Sequence, residues 1–250
     1  MPHNNVRILI TPNAAKDRVI SKFPPAFHPD GTPYHQTNFH PKVKNACLEN
    51  KTGRVSLRIS KAVIVGDISI GKTSMVNRFC HNIFDRDYKA TIGVDFEVEK
   101  FSILSAPFTL QLWDTAGQER FKCIAASYYR GANFLGIGVV LPQTCIKAML
   151  LHCVSDLVKK SEAAYRNVEL QAIEVANSID AEYWALSSKT GENVKEFFFR
   201  AVSLAFDRAV LRELEPTEAS GKKIGNNIFK INREDSNLFE KSKSGPKCCH

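Results

Sequence analysis

Residues 62–73 read Ala62-Val63-Ile64-Val65-Gly66-Asp67-Ile68-Ser69-Ile70-Gly71-Lys72-Thr73. The last eight satisfy G-x-x-x-x-G-K-[ST], and the four before them form an apolar run suited to a buried strand. Strand, glycine turn and helix in that order are the context this motif requires. Two glycines let the backbone wrap closely round phosphate with successive N–H groups pointing inward. Lys72 supplies positive charge between the outer phosphates, and Thr73 offers a hydroxyl to Mg²⁺. Gly66, Asp67, Ile68, Ser69, Ile70, Gly71, Lys72, Thr73 and the following Ser74 are therefore the candidate phosphate-binding residues. The chain is expected to bind a nucleoside triphosphate or to descend from one that did.

Outward from this loop, 250 residues with 44% apolar content suit one domain with appendages. The net charge of +8 is unevenly spread. Residues 1–60 carry nine Lys/Arg against three Asp/Glu, residues 61–214 eighteen of each, and residues 215–250 seven against five. A neutral core argues against a protein built around nucleic acid. Basic flanks suit an anionic membrane surface or an acidic partner, and ordinary solvated charge serves equally for the N-terminal arm. Seven cysteines, at 47, 80, 123, 145, 153, 248 and 249, show no C-x-x-C spacing. With no signal peptide in view, a reducing cytosolic setting is expected. No apolar run approaches the roughly eighteen residues a membrane span needs, so any membrane attachment is expected to be covalent or peripheral.

Residues 1–54 hold Pro2, Pro12, Pro24, Pro25, Pro29, Pro33 and Pro41 without a sustained period and read as an irregular, mostly disordered arm. A strand is expected from near Val55 to Val65, and a helix opening over Ser74 to Cys80. Phe96, Val98, Phe101 and Ile103, then Phe108, Leu110 and Leu112, read as two alternating strands joined by a turn. The run 133–140 and Glu182 to Leu186 read as further strands, and Asn167 to Ile179 and Val194 to Leu214 as helices. Strands alternating with helices give a doubly wound α/β domain over 55–214 with a mostly parallel sheet, its ligand at the carboxyl ends of the strands. Residues 215–250 read as a flexible tail.

Thr91 follows in Tyr88-Lys89-Ala90-Thr91-Ile92-Gly93-Val94-Asp95-Phe96, and further on stands Trp113-Asp114-Thr115-Ala116-Gly117-Gln118-Glu119-Arg120-Phe121. With Tyr128-Tyr129-Arg130-Gly131-Ala132, these segments resemble the Ras-like small GTPases, of P-loop architecture, and within them the Rab branch. The resemblance implies that Thr91 meets Mg²⁺ and the γ-phosphate, that Asp114 holds Mg²⁺ through water, and that the Gly117 amide contacts the γ-phosphate. It makes Gln118 the catalytic residue that orients the attacking water. These roles suit phosphoryl transfer, which asks for charge neutralisation and alignment and little covalent work. Loops touching the γ-phosphate would be held while it is present and released when it leaves, reporting nucleotide state to effectors. For guanine, the resemblance assigns Phe84 to one face of the base, with a core phenylalanine as the plain alternative. It assigns Ser187-Ser188-Lys189 to the loop whose Ser188 amide meets the guanine carbonyl.

Two departures stand out. The [NT]-K-x-D guanine motif is absent; its counterpart is Cys153-Val154-Ser155-Asp156, where Asp156 either pairs with guanine or is a surface helix residue. The crossover is also short. Only residues 141–147 separate the apolar run ending at Val140 from the one starting at Ala148, whereas parallel neighbours need a crossover of about a dozen or more residues. Either Ala148 to Cys153 is the next strand and a helix is lost, or Ile146, Met149, Leu150, Cys153, Val154, Leu157 and Val158 form a helical face and the strand is lost. An altered splice form or a gene-model error upstream of Asp156 is the reading favoured. Ile68, where many Ras-like proteins carry a small residue, would crowd the space shared by Gln118 and an arginine finger and slow hydrolysis.

The tail carries Lys222, Lys223, Lys230, Arg233, Lys241, Lys243 and Lys247 before Cys248-Cys249-His250. It resembles the Rab hypervariable tail, which implies geranylgeranylation of Cys248 and Cys249, two chains being enough for stable anchoring. Further likenesses, in Asp17-Arg18-Val19-Ile20, Phe121-Lys122-Cys123-Ile124-Ala125, Ala181-Glu182-Tyr183-Trp184 and Glu196-Phe197-Phe198, point to the Rab subgroup numbered thirty-four and thirty-six. The resemblance implies GTP/GDP and Mg²⁺ as ligands. It implies an exchange factor, a GTPase-activating protein, Rab escort protein, GDP-dissociation inhibitor and effectors as partners, a membrane through prenyl groups, and no nucleic acid. Its implied location is the cytoplasmic face of Golgi or endosomal/lysosomal vesicles, with a cytosolic pool. The alternative is a truncated, non-catalytic form acting only as an interaction protein.

Overall fold

The structure, a computed structural model, describes residues 14–49, 58–66, 68–87, 89–117, 134–136, 148–153 and 162–214. Its frame is a seven-stranded sheet in the order β1-β3-β4-β2-β5-β6-β7. The strands are β1 (Val19–Ile20), β2 (Arg58–Ile64), β3 (Val94–Ile103), β4 (Ala106–Thr115), β5 (Phe134–Gly136), β6 (Ala148–Cys153) and β7 (Ala181–Leu186). Only the β3–β4 pair is antiparallel; all other neighbours run parallel. Four helices complete the described fold: α1 (Pro41–Glu49), α2 (Lys72–His81), α3 (Glu162–Ser178) and α4 (Val194–Leu214). This is the doubly wound α/β arrangement expected from the alternation of strands and helices.

Local sequence explains most of these elements. β7 is buried at all six positions, as a parallel strand covered on both faces must be. The β3–β4 hairpin turns at Leu104 and Ser105, both left-handed at φ 49° and 67°, the conformation whose twist matches that of flanking strands. Phe101, Ile103, Phe108, Leu110 and Leu112 face the core. Phe96 and Val98 do not: they are 45% and 43% exposed, because even and odd positions of one strand point to opposite faces. α2 starts at Lys72, sooner than Ser74, and stops at Asn82, whose left-handed backbone lets its own N–H donate to the Arg78 carbonyl and the next N–H, of Ile83, to the Asn77 carbonyl. Phe79 of α2 stacks on Phe198 of α4 at 4.0 Å between centroids.

The short crossover is decided in favour of the strand. Ala148–Cys153 pairs in parallel with both β5 and β7. Residues 137–147, outside the described residues, are all that joins β5 to β6, a length below the dozen or so usual for such a connection. Val55 and Leu57, expected in β2, and residues 137–140, expected in β5, also lie outside the described residues.

The arm corrects the expectation of disorder. Its described part, residues 14–49, packs onto the domain, with β1 forming the sheet edge beside β3 and Val43 of α1 buried in the core. Phe23 and Phe39 meet edge to face at 4.9 Å, Phe39 meets Phe206 of α4, and Phe27 lies beside Trp184. Most of this backbone is irregular, so its polar groups are satisfied by side chains from elsewhere. Arg200 of α4 donates to the carbonyls of Pro24, Gln36 and Tyr34 at 2.9, 2.8 and 2.6 Å. Asp207 accepts from Gln36 Nε2 and from the His40 N–H, both at 2.8 Å. At the sheet edge Arg18 donates to Glu99 at 2.8 Å and to the Phe79 carbonyl at 2.7 Å, its guanidinium 4.4 Å above the Phe79 ring. Proline content and missing periodicity hid an order that rests on contacts up to 176 residues apart.

Candidate functional site

At the carboxyl end of β2 the chain enters three left-handed residues in quick succession, Gly66 at φ 142°, Ser69 at φ 60° and Gly71 at φ 88°. Such reversals curl the backbone into a concave turn, and Gly71 hands it directly to α2. Lys72 folds back over the turn, donating from Nζ to the Gly66 carbonyl at 2.8 Å. Ile68 and Ser69 are exposed at the rim, while Ile70, Gly71 and Ser74 are half-buried. Asp67 lies outside the described residues.

Thr73, first turn of α2, meets the other two oxygen donors singled out in the sequence. Its Oγ1 stands 2.8 Å from Thr91 Oγ1 and donates to Asp114 Oδ2 at 2.5 Å. Asp114 is 3% exposed, and its Oδ1 has no hydrogen-bond partner among the described residues. Burial pushes the Asp114 carboxyl up to about 6; the Thr73 hydrogen bond and the Lys72 charge act against this, and Asp95 adds to it. Two hydroxyls and a carboxylate with an unmatched buried oxygen fit a small hard cation such as Mg²⁺, which takes one or two carboxylates and completes its shell with water and phosphate. Elsewhere among the described residues no group of three His, Cys, Asp or Glu is placed to hold a metal.

The segments bearing Thr91 and Gly117 are joined directly, the Ala116 N–H donating to the Gly93 carbonyl at 2.9 Å, and Thr115 Oγ1 ties the second of them to the end of β2 by donating to the Ile64 carbonyl at 2.7 Å. Thr91 and Gly117 are both half-buried at this end of the sheet. Gln118 lies outside the described residues.

On the base side, Ser187-Ser188-Lys189 leaves β7 in a tight loop. The Gly191 N–H donates to the Ser187 carbonyl at 2.8 Å, the Ser187 N–H to the Glu192 carbonyl at 3.0 Å, and Asn193 Nδ2 to the Ala185 carbonyl at 2.9 Å. Ser187 and Ser188 are buried and Lys189 is exposed. Phe84 is half-buried, two residues beyond the Asn82 that closes α2. Asp156, Cys248 and Cys249 lie outside the described residues. Sequence reading missed Arg78, which bonds this loop to α2; its partners are 110 and 111 residues away, and no local spacing announces them.

Comparison with known proteins agrees with this geometry. Residues 61–138 match the model of the Ras family. The chain is 45% identical over 253 residues to Ras-related protein Rab-34 of Homo sapiens, covering 94% of this chain and 96% of that one. It is 40% identical over 258 residues to Ras-related protein Rab-36 of Mus musculus, covering 95% and 97%. With GTP-binding protein ypt1 of Schizosaccharomyces pombe it shares 29% identity over 215 residues, covering 76% and 96%.

Proposed function

The chain belongs to the Rab family of Ras-like small GTPases, and from that premise we propose that it is a membrane-anchored guanine-nucleotide switch that hydrolyses GTP slowly and acts in vesicle trafficking. The observation that carries this reading is the meeting of Thr73, Thr91 and Asp114 beside the phosphate loop. Gly66 to Ser74 cradle the phosphates through backbone amides, and Lys72 exchanges its bond to the Gly66 carbonyl for phosphate oxygens. Thr73, Thr91 and Asp114 hold Mg²⁺. When bound, the ion neutralises charge on the phosphate oxygens. Thr91 and the Gly117 amide sense the γ-phosphate, and their coupling through the Ala116–Gly93 hydrogen bond lets one nucleotide state order both segments. Gln118 orients the attacking water. Ile68, 51% exposed at the rim of the loop, crowds the approach to that position and slows the reaction.

Phe84, Asp156, Ser187, Ser188 and Lys189 form the guanine site. Cys248 and Cys249 carry the prenyl groups; among the described residues no helix is long and apolar enough to cross a membrane. The usual Rab regulators, effectors, escort protein and GDP-dissociation inhibitor are the partners, on the cytoplasmic face of Golgi or endosomal/lysosomal vesicles and in a cytosolic pool.

The short 137–147 connection and the missing [NT]-K-x-D motif favour a second reading, a non-catalytic interaction form. Single-turnover GTP hydrolysis separates the two. Slow, Mg²⁺-dependent turnover abolished by Gln118→Leu supports the switch, and GDP binding without any turnover supports the interaction form. An ordinary rate that collapses on Gln118→Leu would refute the role given to Ile68. Electrospray mass of the protein from eukaryotic cells tests the lipid anchor, which is excluded if both thiols are free.

A further inference from the structure

We infer that Arg78 is the positioning residue of base recognition, holding the 187–189 loop so that it selects guanine over adenine; this rests on the reading of that loop as the guanine site. Arg78 Nε donates to the Ser188 carbonyl at 2.8 Å and Nη2 to the Lys189 carbonyl at 2.7 Å. Nη1 is anchored in turn by the Asn82 carbonyl and Asn82 Oδ1, both at 3.1 Å, at the residue that ends α2. One planar guanidinium thus fixes two consecutive peptide planes of the loop against the helix that begins in the phosphate loop.

Peptide geometry gives this clamp a chemical consequence. In a trans peptide the N–H points opposite to the C=O. The Ser187 carbonyl is taken by the Gly191 N–H, which aims the Ser188 N–H the other way. The Ser188 carbonyl is taken by Arg78, which aims the Lys189 N–H away from the arginine. Two oriented N–H donors suit the guanine O6 acceptor and oppose the adenine N6 amino donor. Gly191 lies beside the clamp at φ +86°, a left-handed conformation that favours glycine, and a Cβ there would stand in ordinary contact with Arg78 Cδ at 3.5 Å. The loop also carries more of the specificity than usual, since Cys153 and Val154 stand where the guanine motif has Asn or Thr and Lys.

The test uses the full chain with Mg²⁺ and measures dissociation of fluorescent GDP, competition by ADP, and competition by inorganic tripolyphosphate as a probe without a base. Arg78→Met keeps the aliphatic stem and removes every donor. GDP release is expected to accelerate about tenfold, with the GDP-to-ADP preference narrowing by a similar factor and tripolyphosphate affinity unchanged. Arg78→Lys, with one donor centre for two carbonyls, is expected to fall between, and serves if the methionine variant does not fold. Unchanged GDP release in both variants overturns the inference. Equal weakening of GDP and tripolyphosphate also overturns it, because it would mean general loosening. If the unaltered chain itself does not prefer GDP to ADP, the guanine reading fails and the inference with it, before any variant is compared.

Discussion

Replacing Arg200 by methionine should release the N-terminal arm and remove a large part of the stability of the domain. Arg200 and Glu182 are both fully buried, and the guanidinium reaches the carboxylate through Nη2 at 3.1 Å and Nε at 3.2 and 3.3 Å. Glu182 also accepts from Thr32 Oγ1 at 2.5 Å and Trp184 Nε1 at 2.8 Å, so arm, strand and helix share one carboxylate. Methionine fills much of the volume but strands that carboxylate and leaves the Pro24, Tyr34 and Gln36 carbonyls without their donor. Breaking a buried ion pair from one side costs about 3–5 kcal/mol, a large fraction of the roughly 5–15 kcal/mol that holds a domain together. Urea unfolding of the GDP-bound protein measures the loss. Trypsin reports the arm, because Lys22 becomes cleavable once residues 14–49 lift. Adding Glu182→Gln should restore part of the loss by removing the stranded charge. A loss under about 1 kcal/mol, or an arm as resistant as before, would refute the clamp.

Other perturbations have equally definite outcomes. Burial holds the Asp114 carboxyl near 6, so in EDTA the folded state binds its proton more tightly than the unfolded state. Stability from this group is therefore present at low pH and lost as pH rises through about 6, by at most ~3 kcal/mol. Relative to Asp114→Asn, the unaltered protein should gain in Tm on acidification from pH 7 to pH 4.5, and parallel profiles would contradict this. Gly191→Ala forces a side chain onto φ +86° beside Arg78 and should cost about 1–2 kcal/mol, with faster GDP release; equal stability and release would count against a strained loop. Arg18→Met removes the bonds to Glu99 and the Phe79 carbonyl and should cost about 2 kcal/mol. Amide exchange at Leu104, whose N–H donates to the Ile20 carbonyl, should then quicken, and an unchanged rate would show that β1 is held by other means.

The parts legible in the sequence are those whose signal is local. Gly66 to Thr73 forces its own turn, and the β3–β4 alternation and the helical period of Val194 to Leu214 need no distant partner to be recognised. Ala148 to Cys153 was ambiguous because a short apolar run fits either period; only pairing with β5 and β7 makes it a strand. The order of the arm was hidden for a related reason. Phe23, Phe27 and Phe39 follow no period, and the donors that satisfy the arm's backbone sit on α4. Phe96 and Val98 were legible as members of the same strand as Phe101 and Ile103, but they stand at the opposite parity and face outward. In the site, Thr73, Thr91 and Asp114 could be named from motif spacing, whereas Arg78 owes its place to tertiary packing alone.

Titrating the nucleotide-free full chain with fluorescent GDP in Mg²⁺, then competing with unlabelled GDP or ADP, is the most direct trial of a guanine switch built on a shortened crossover. Tight binding displaced by GDP and unmoved by ADP is expected. Absent binding, or equal displacement by both, would contradict it.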